Sequence, residues 1–164
     1  MCWQCDHPDA TVEDYLDILR ETIRGHGWVV QFVEDERRPF AYTIGLHDRG
    51  LPELMLTGLQ ARTAYRVVNS IAHMIVDDGT VLAPGMHIDY QDEFPLEVVE
   101  VDHPDVHLTF AIRLGGPEVR ALQLVWADSR GRFPWERGWS HGRRRQPVFG
   151  CRAEPDHLGG AAAV

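Results

Sequence analysis

The fold is decided by the stretch WVVQFVEDERRPFAYTIGLHDRGLPELMLTGL, residues 28–59. β-Branched and aromatic residues fill positions 28–33 and 40–46, and a shorter apolar run follows at 53–59. The polar segments between these runs carry turn residues such as Pro39. Because connections this short join antiparallel neighbours, the stretch predicts a meander of three strands.

Two amphipathic patterns flank this meander. Thr11 and Asp14 form a capping-box pattern, and the apolar residues that follow recur at helical spacing, which predicts a helix over 12–24. A second pattern of the same period predicts a helix over 61–76. The predicted buried face of that second helix consists of Tyr65, Val68, Ala72 and Ile75, widened by Val67, Ile71 and Met74.

The second half of the chain is less regular. Strands are predicted at 96–102 and 119–128, and a short strand is expected near His87. Residues 103–115 fit either a strand, by their alternation, or a helix that begins at Pro104. The order of elements indicates an α+β fold, with a mainly antiparallel sheet and two or three packed helices in a single domain.

Length and charge narrow the possible functions. The chain has 164 residues, enough for one domain, and we expect an N-terminal Cys/His arm at 1–10, a single α+β domain at 11–150 and a flexible tail at 151–164. Its 25 acidic and 16 basic residues give a net charge of −9. An acidic chain repels phosphate backbones, so no nucleic-acid partner is expected.

Hydropathy and cysteine usage suggest the compartment. No apolar run approaches the ~20 residues that span a bilayer, and no basic region followed by an apolar stretch opens the sequence. We therefore expect a cytoplasmic protein with no membrane partner. Thiols stay reduced there, so three cysteines do not form a disulfide framework.

The most specific chemical pattern is MCWQCDH at the start of the chain. Cys2 and Cys5 have the spacing that brings two sulfurs to one metal, and His7 adds an imidazole, which predicts a zinc site. Cys151 or a histidine would supply a fourth ligand. Two alternatives stay open, a redox dithiol and an arm in which the cysteines only pack. No other cofactor is expected.

A second candidate surface lies near the end of the chain. Trp135 and Trp139 precede three consecutive arginines, Arg143, Arg144 and Arg145. Aromatic and Arg side chains are enriched where proteins bind partners, so this loop predicts a protein-interaction or immunity-type module. The alternative is a loop that folds back on the core, followed by solvated arginines.

Whether the protein is an enzyme is left open by the sequence. It contains no nucleophile elbow, no phosphate-binding glycine loop and no zinc-protease helix motif. His103 and His107 would share a metal only on a helix, and a solvated edge is the preferred interpretation. A third hypothesis is a small-molecule enzyme with a pocket between the meander and the segment FPWE at 133–136.

The assembled segments resemble a known bacterial family. These segments are MCWQCDHP, FAYTIGL, LPELMLTGL, LQLVWADSRGRFPWE and QPVFG. Together they are similar to the domain of unknown function 4262, a family common in actinobacteria, over Cys2 to about Gly150. The family has no established catalytic residues, so the resemblance assigns none to this chain. Cys151 lies outside the shared pattern, and only analogy with small immunity or interaction domains suggests a role.

Overall fold

The computed structural model describes residues 7–91, 93–140 and 145–153. Within these stretches, no helix combines the length and apolar character needed to cross a membrane. The elements in chain order are α1 (Val12–His26), β1 (Val29–Val33), β2 (Phe40–Ile44), a 3₁₀ turn (Leu46–Arg49), β3 (Glu53–Thr57), α2 (Ala61–Asp77), β4 (His87–Tyr90), β5 (Phe94–Glu100), α3 (Pro104–His107), α4 (Thr109–Gly115) and β6 (Ala121–Trp126).

Helix α1 begins at the predicted capping box. The Asp14 amide donates to Thr11 Oγ1 at 3.2 Å, and the Thr11 amide donates to Asp14 Oδ2 at 2.7 Å. Gly27 ends the helix at φ +93°, a backbone conformation that glycine adopts at no steric cost. Both predicted helices are confirmed, and α1 runs two residues past its predicted end.

The six strands form one sheet in the order β1-β2-β3-β6-β5-β4. The meander β1-β2-β3 is antiparallel as predicted, and β4, β5 and β6 pair antiparallel as well. β3 and β6 are parallel, with Leu54 opposite Leu122. The α+β class is confirmed, and the sheet is mixed at this one pair. A parallel pair needs a long crossover, which here contains α2 and the β4–β5 hairpin.

Helix α2 covers one face of the sheet. The first core cluster lies beneath it and includes Leu54, Leu56 and Leu124. The helix buries Ala64, Val67, Val68, Ile71, Ala72 and Ile75. The predicted place for Tyr65 on this face is wrong, because Tyr65 is 54% exposed. The apolar stripe is centred one position earlier, so small Ala64 faces the sheet and the bulky ring turns to solvent.

The opposite face of the sheet is covered by α1 and α4. Met55 lies between Leu54 and Leu56 on β3, so its side chain points to this second face. It joins the second core cluster, in which Leu16 and Ala111 come from α1 and α4 and Leu108 comes from the residue that joins α3 to α4. Residues 103–115 therefore form helices rather than a strand, and Pro104 occupies a first helical position as one interpretation expected.

The C-terminal segment (residues 145–153) lies on that second face, beside the helices. Gln146 brackets Trp126, accepting from its amide and donating to its carbonyl, both at 2.8 Å. Gln123 donates to the Pro147 carbonyl and accepts from the Phe149 amide, again at 2.8 Å. Two buried glutamine side chains, Gln123 of β6 and Gln146 of the segment itself, thus anchor this segment to the sheet.

Gly150 sets how closely this segment approaches β5, and its replacement by Ala is expected to be destabilising by about 1–3 kcal/mol. A Cβ on Gly150 would lie 1.7 Å from the Glu100 carbonyl oxygen, so the backbone must move. The matched control is Gly25→Ala in α1, where a Cβ meets nothing within 4 Å. Urea unfolding should show a loss for Gly150→Ala alone, and equal midpoints for the two variants would contradict this packing.

Candidate functional site

An open pocket of about 460 Å³ lies over the β4–β5 hairpin, on the face opposite α2. Its volume falls within the range of roughly 300–1,000 Å³ that small-molecule sites occupy. It adjoins the segment 133–136, as the enzyme hypothesis expected, but it lies over β4 and β5 rather than beside the meander. Its lining consists of His87, Pro95, Glu97, Gly131, Phe133, Trp135, Glu136 and Arg152.

Glu97 is the buried charged group of this pocket. It lies between Leu96 and Val98, whose side chains join the first core cluster, so the two-residue period of a strand turns Glu97 to the opposite face. It is directly opposite His87 on β4 and Val125 on β6. Its side chain is only 3% exposed, and a carboxylate so deeply buried needs hydrogen-bonded partners.

Two side chains supply those partners. Arg152 Nε donates to Glu97 Oε1 at 2.9 Å, and Arg152 Nη2 donates to Oε2 at 3.2 Å. The second oxygen also lies 3.2 Å from His87 Nε2. The two partners are 41% and 59% exposed, respectively. A fixed, buried carboxylate thus faces two side chains that are free to reach solvent.

Aromatic rings form the wall beside this carboxylate. Phe133 and Trp135 stack with centroids 5.2 Å apart, and the Phe133 ring meets the His87 ring edge-on at 5.5 Å. The guanidinium carbon of Arg152 lies 4.1 Å from the Trp135 ring centroid, a cation–π contact. Arg152 therefore bridges the buried acid and the aromatic wall.

Asp128 fixes the loop that carries this wall. Its carboxylate accepts from the backbone amides of Arg130, Arg132 and Ser140 at 2.9–3.2 Å. Burial opposes ionisation of Asp128, but these hydrogen bonds and the nearby Arg132 charge prevail and lower its pKa to about 2. The loop is therefore held by an internal carboxylate rather than by exposed contacts.

A second buried acid, Glu53, lies where β2 turns into β3. Its carboxylate is 2.6 Å from His47 Nδ1 and accepts from the Gly45 amide at 2.9 Å. The hydrogen bond to Glu53 raises the pKa of His47, although burial acts in the opposite direction. Gly115 of α4 packs against the imidazole, since a Cβ there would lie 2.5 Å from His47 Cδ2. The hydrogen bonds of Glu53 and the packing of His47 thus connect the β2–β3 junction to α4.

The predicted zinc ligands are described only in part. Cys2 and Cys5 lie outside the described residues, and His7 is exposed. Among the residues that the structure places, no group of three His, Cys, Asp or Glu side chains could hold a metal ion. Cys151 is exposed, with its sulfur 3.6 Å from Asp102 Oδ2. The zinc site stays a prediction, which metal analysis of untagged protein would test.

The predicted partner-binding residues lie in different surroundings. Trp135 belongs to the pocket wall and packs against the third core cluster, made of Val99, Val125, Ala127 and Phe133. Trp139 packs against the first cluster, tilted over Trp126 at 5.8 Å. Arg145 is exposed, and Arg143 and Arg144 lie outside the described residues. A partner surface built on these five side chains stays a prediction.

Sequence reasoning missed His87, Glu97 and Arg152 as site residues. One signal could have found the acid: Glu97 interrupts the apolar run of a predicted strand, where a charge must be paired. Arg152 carries no local signal, because it lies 55 residues from Glu97 and only the path of the C-terminal segment joins them.

Comparison with known proteins supports the resemblance seen in the sequence. The family model described as "Domain of unknown function (DUF4262)" matches residues 22–140, a range that includes His87, Glu97 and the aromatic wall but not Arg152. No curated protein and no solved structure gives a significant match. The chain therefore belongs to the DUF4262 family.

Proposed function

We propose that this domain binds a small organic ligand in the pocket over β4 and β5. The observation that carries the proposal is the Glu97 carboxylate, 3% exposed, inside an open pocket with an aromatic wall. Small-molecule sites place a few fixed polar groups beside apolar walls, and this pocket sets Glu97, His87 and Arg152 beside an aromatic wall. Glu97 supplies the charge, and Phe133 and Trp135 supply the wall.

The burial of Glu97 is not required by the fold. Its neighbours on the same face, Val99 and Val125, belong to an apolar cluster. An apolar residue would serve as well there, because replacing a buried ion pair with packed apolar side chains is often neutral or stabilising. The acid is also not needed to anchor the C-terminal segment, which Gln123 and Gln146 already hold. The carboxylate is thus available for recognition.

The pocket is also preorganised. Glu97 and His87 lie on paired strands, which hold side chains more accurately than loops do. The aromatic segment is fixed by Asp128 and by the Glu136 carboxylate, which accepts from the Phe133 amide at 2.6 Å. A ligand would therefore meet a wall already in position and cause little loss of conformational entropy.

Three matched probes test the proposal: benzamidine, benzoate and benzyl alcohol, which differ in charge but share one ring. At least one of them is expected to shift the Trp135 indole NMR signal saturably. Trp135→Ala should weaken that binding several-fold, because an aromatic contact contributes about 0.5–1.5 kcal/mol. The His87 ring signals then report binding in the variant.

The Trp28 indole is the internal control. It is buried under α2, and its Nε1 donates to Asn69 Oδ1 at 3.1 Å, away from the pocket. It should not move with any probe. If none of the three probes shifts Trp135 at millimolar concentration, either in the unchanged chain or in the variant Arg152→Ala, or if Trp28 shifts equally, the pocket is not a ligand site.

A further inference from the structure

We infer that the ligand carries a guanidinium or amidinium group, and that Arg152 occupies its subsite as an internal ligand. This inference rests on the proposed function, because it assigns a ligand class to the same pocket. It makes the C-terminal segment a competitor of the external ligand.

The contacts of Arg152 are those by which a protein recognises a guanidinium. Two nitrogens pair with the two oxygens of Glu97, which uses the planar fork of the group. The guanidinium carbon lies over the Trp135 ring, 4.1 Å from its centroid. An ion pair at the edge and an aromatic ring at the face together select a planar cation over a spherical one.

A neighbouring ion pair shows that this arrangement is special to the pocket. Arg120 also forms a bidentate pair, with two nitrogens 2.9–3.0 Å from Glu100. There the acid is 35% exposed, whereas Glu97 is 3% exposed. Exposed pairs of this kind contribute little to stability or specificity. The same chain thus offers an exposed control for the buried site.

The position of Arg152 allows its side chain to move away from Glu97 into solvent. Its neighbours Cys151 and Ala153 are exposed, and its own side chain is 41% exposed. The anchors of the segment lie upstream, at Gln146 and Phe149. Rotation of the Arg152 side chain into solvent therefore breaks no strand pairing and leaves Glu97 open to an external cation.

A cation fits this pocket better than an anion. Glu97 is fixed in β5, which pairs on both sides, and cannot move away from an incoming anion, and Glu136 adds a second acid to the lining. An anion would have to pair with Arg152 while lying beside the buried carboxylate. An external guanidinium instead replaces one guanidinium with another, which conserves the charge of the site.

Competition between Arg152 and an external cation determines how much the removal of Arg152 should raise the affinity for that cation. When a site is open for only a fraction of the time, the apparent affinity for its ligand falls by that fraction. A side chain held close to its site acts at a local concentration in the millimolar range. Removing Arg152 should therefore tighten external binding by about tenfold or more.

The test measures binding of benzamidine and methylguanidinium to the full chain and to Arg152→Ala, with Arg120→Ala as the matched control. We expect both probes to bind Arg152→Ala at least about tenfold more tightly, and Arg120→Ala to bind as the unchanged chain does. Glu97→Gln in the Arg152→Ala background should abolish binding, whereas Glu100→Gln in that background should not. Arg152 is exposed, so we expect Arg152→Ala to fold. Its affinity for the two cations therefore tests the inference even if Glu97→Gln does not fold.

The outcomes separate this inference from the proposed function. If benzoate or benzyl alcohol binds at Trp135 and neither cation does, the pocket is a ligand site and the guanidinium inference is overturned. Unchanged or weaker cation binding in Arg152→Ala also overturns it. If no probe binds either the unchanged chain or Arg152→Ala, both proposals fail.

Discussion

Replacing Glu53 with Ala is expected to lower the free energy of unfolding by about 3–5 kcal/mol, the cost of breaking a buried, hydrogen-bonded charge pair. Glu53 has no exposed surface. Its carboxylate accepts from Thr43 Oγ1 at 2.5 Å and from the backbone amides of Gly45 and His47 at 2.9 and 3.1 Å. The variant leaves these donors buried without an acceptor, and the His47 ring loses its partner.

Urea unfolding followed by circular dichroism measures this effect. The matched control is Glu100→Ala, which removes an acid of the same size that is 35% exposed and pairs with exposed Arg120. That change should cost less than about 1 kcal/mol. A loss below about 1 kcal/mol for Glu53→Ala as well would show that the junction of β2 and β3 does not depend on this carboxylate.

Replacing Asp128 with Ala is expected to release the loop that forms the aromatic wall. The three backbone amides of Arg130, Arg132 and Ser140 would lose their common acceptor. The Phe133–Trp135 stack should then lose its fixed position, and ligand binding at Trp135 should weaken. Faster hydrogen exchange of these amides and a Trp135 indole signal close to that of unfolded protein would show that the loop has been released.

The pKa of Asp128 gives the same prediction a pH dependence. Burial opposes its ionisation, yet the hydrogen bonds from Arg132, Arg130 and Ser140 lower the pKa to about 2, below the usual value of about 3.9. A lowered pKa stabilises the folded loop above pH ~4, and this contribution is lost as the pH falls toward 2. The exposed acid at the end of α2 is the control, and Asp78→Ala should leave the loop unchanged. Equal loop exchange in both variants would contradict the role of Asp128.

Local patterns predicted the elements of this fold well, because period and capping act within a few residues. The Thr11–Asp14 box and the meander at 28–59 are examples. Tyr65 shows where this reasoning stops, since Ala64 and Tyr65 both fit an apolar stripe and only packing against the sheet chooses between them. The insertion of β6 between β3 and β5 depends on a long crossover that no local signal records.

The candidate site was less predictable than the elements, because it also depends on contacts between distant parts of the chain. Its members come from β4, β5, the 133–136 segment and the C-terminal segment, and strand register alone brings His87 opposite Glu97. Trp135 could be identified from its residue type, but its contact with Arg152 depends on the path of residues 145–153 across the sheet. Besides Trp135, the site residue with a recognisable signal in the sequence is Glu97, because it is an acid inside an apolar strand.

The most direct test of the central claim follows the Arg152 Nε–Hε signal by NMR while methylguanidinium is added to the unchanged protein. In the free protein the Trp135 ring should shift this signal upfield, because the guanidinium lies over its face. We predict that it moves to the position of a free arginine as the pocket fills, while the Arg120 signal, from the pair with Glu100, stays in place. An Arg152 signal that does not move, or one that moves together with that of Arg120, would contradict the account.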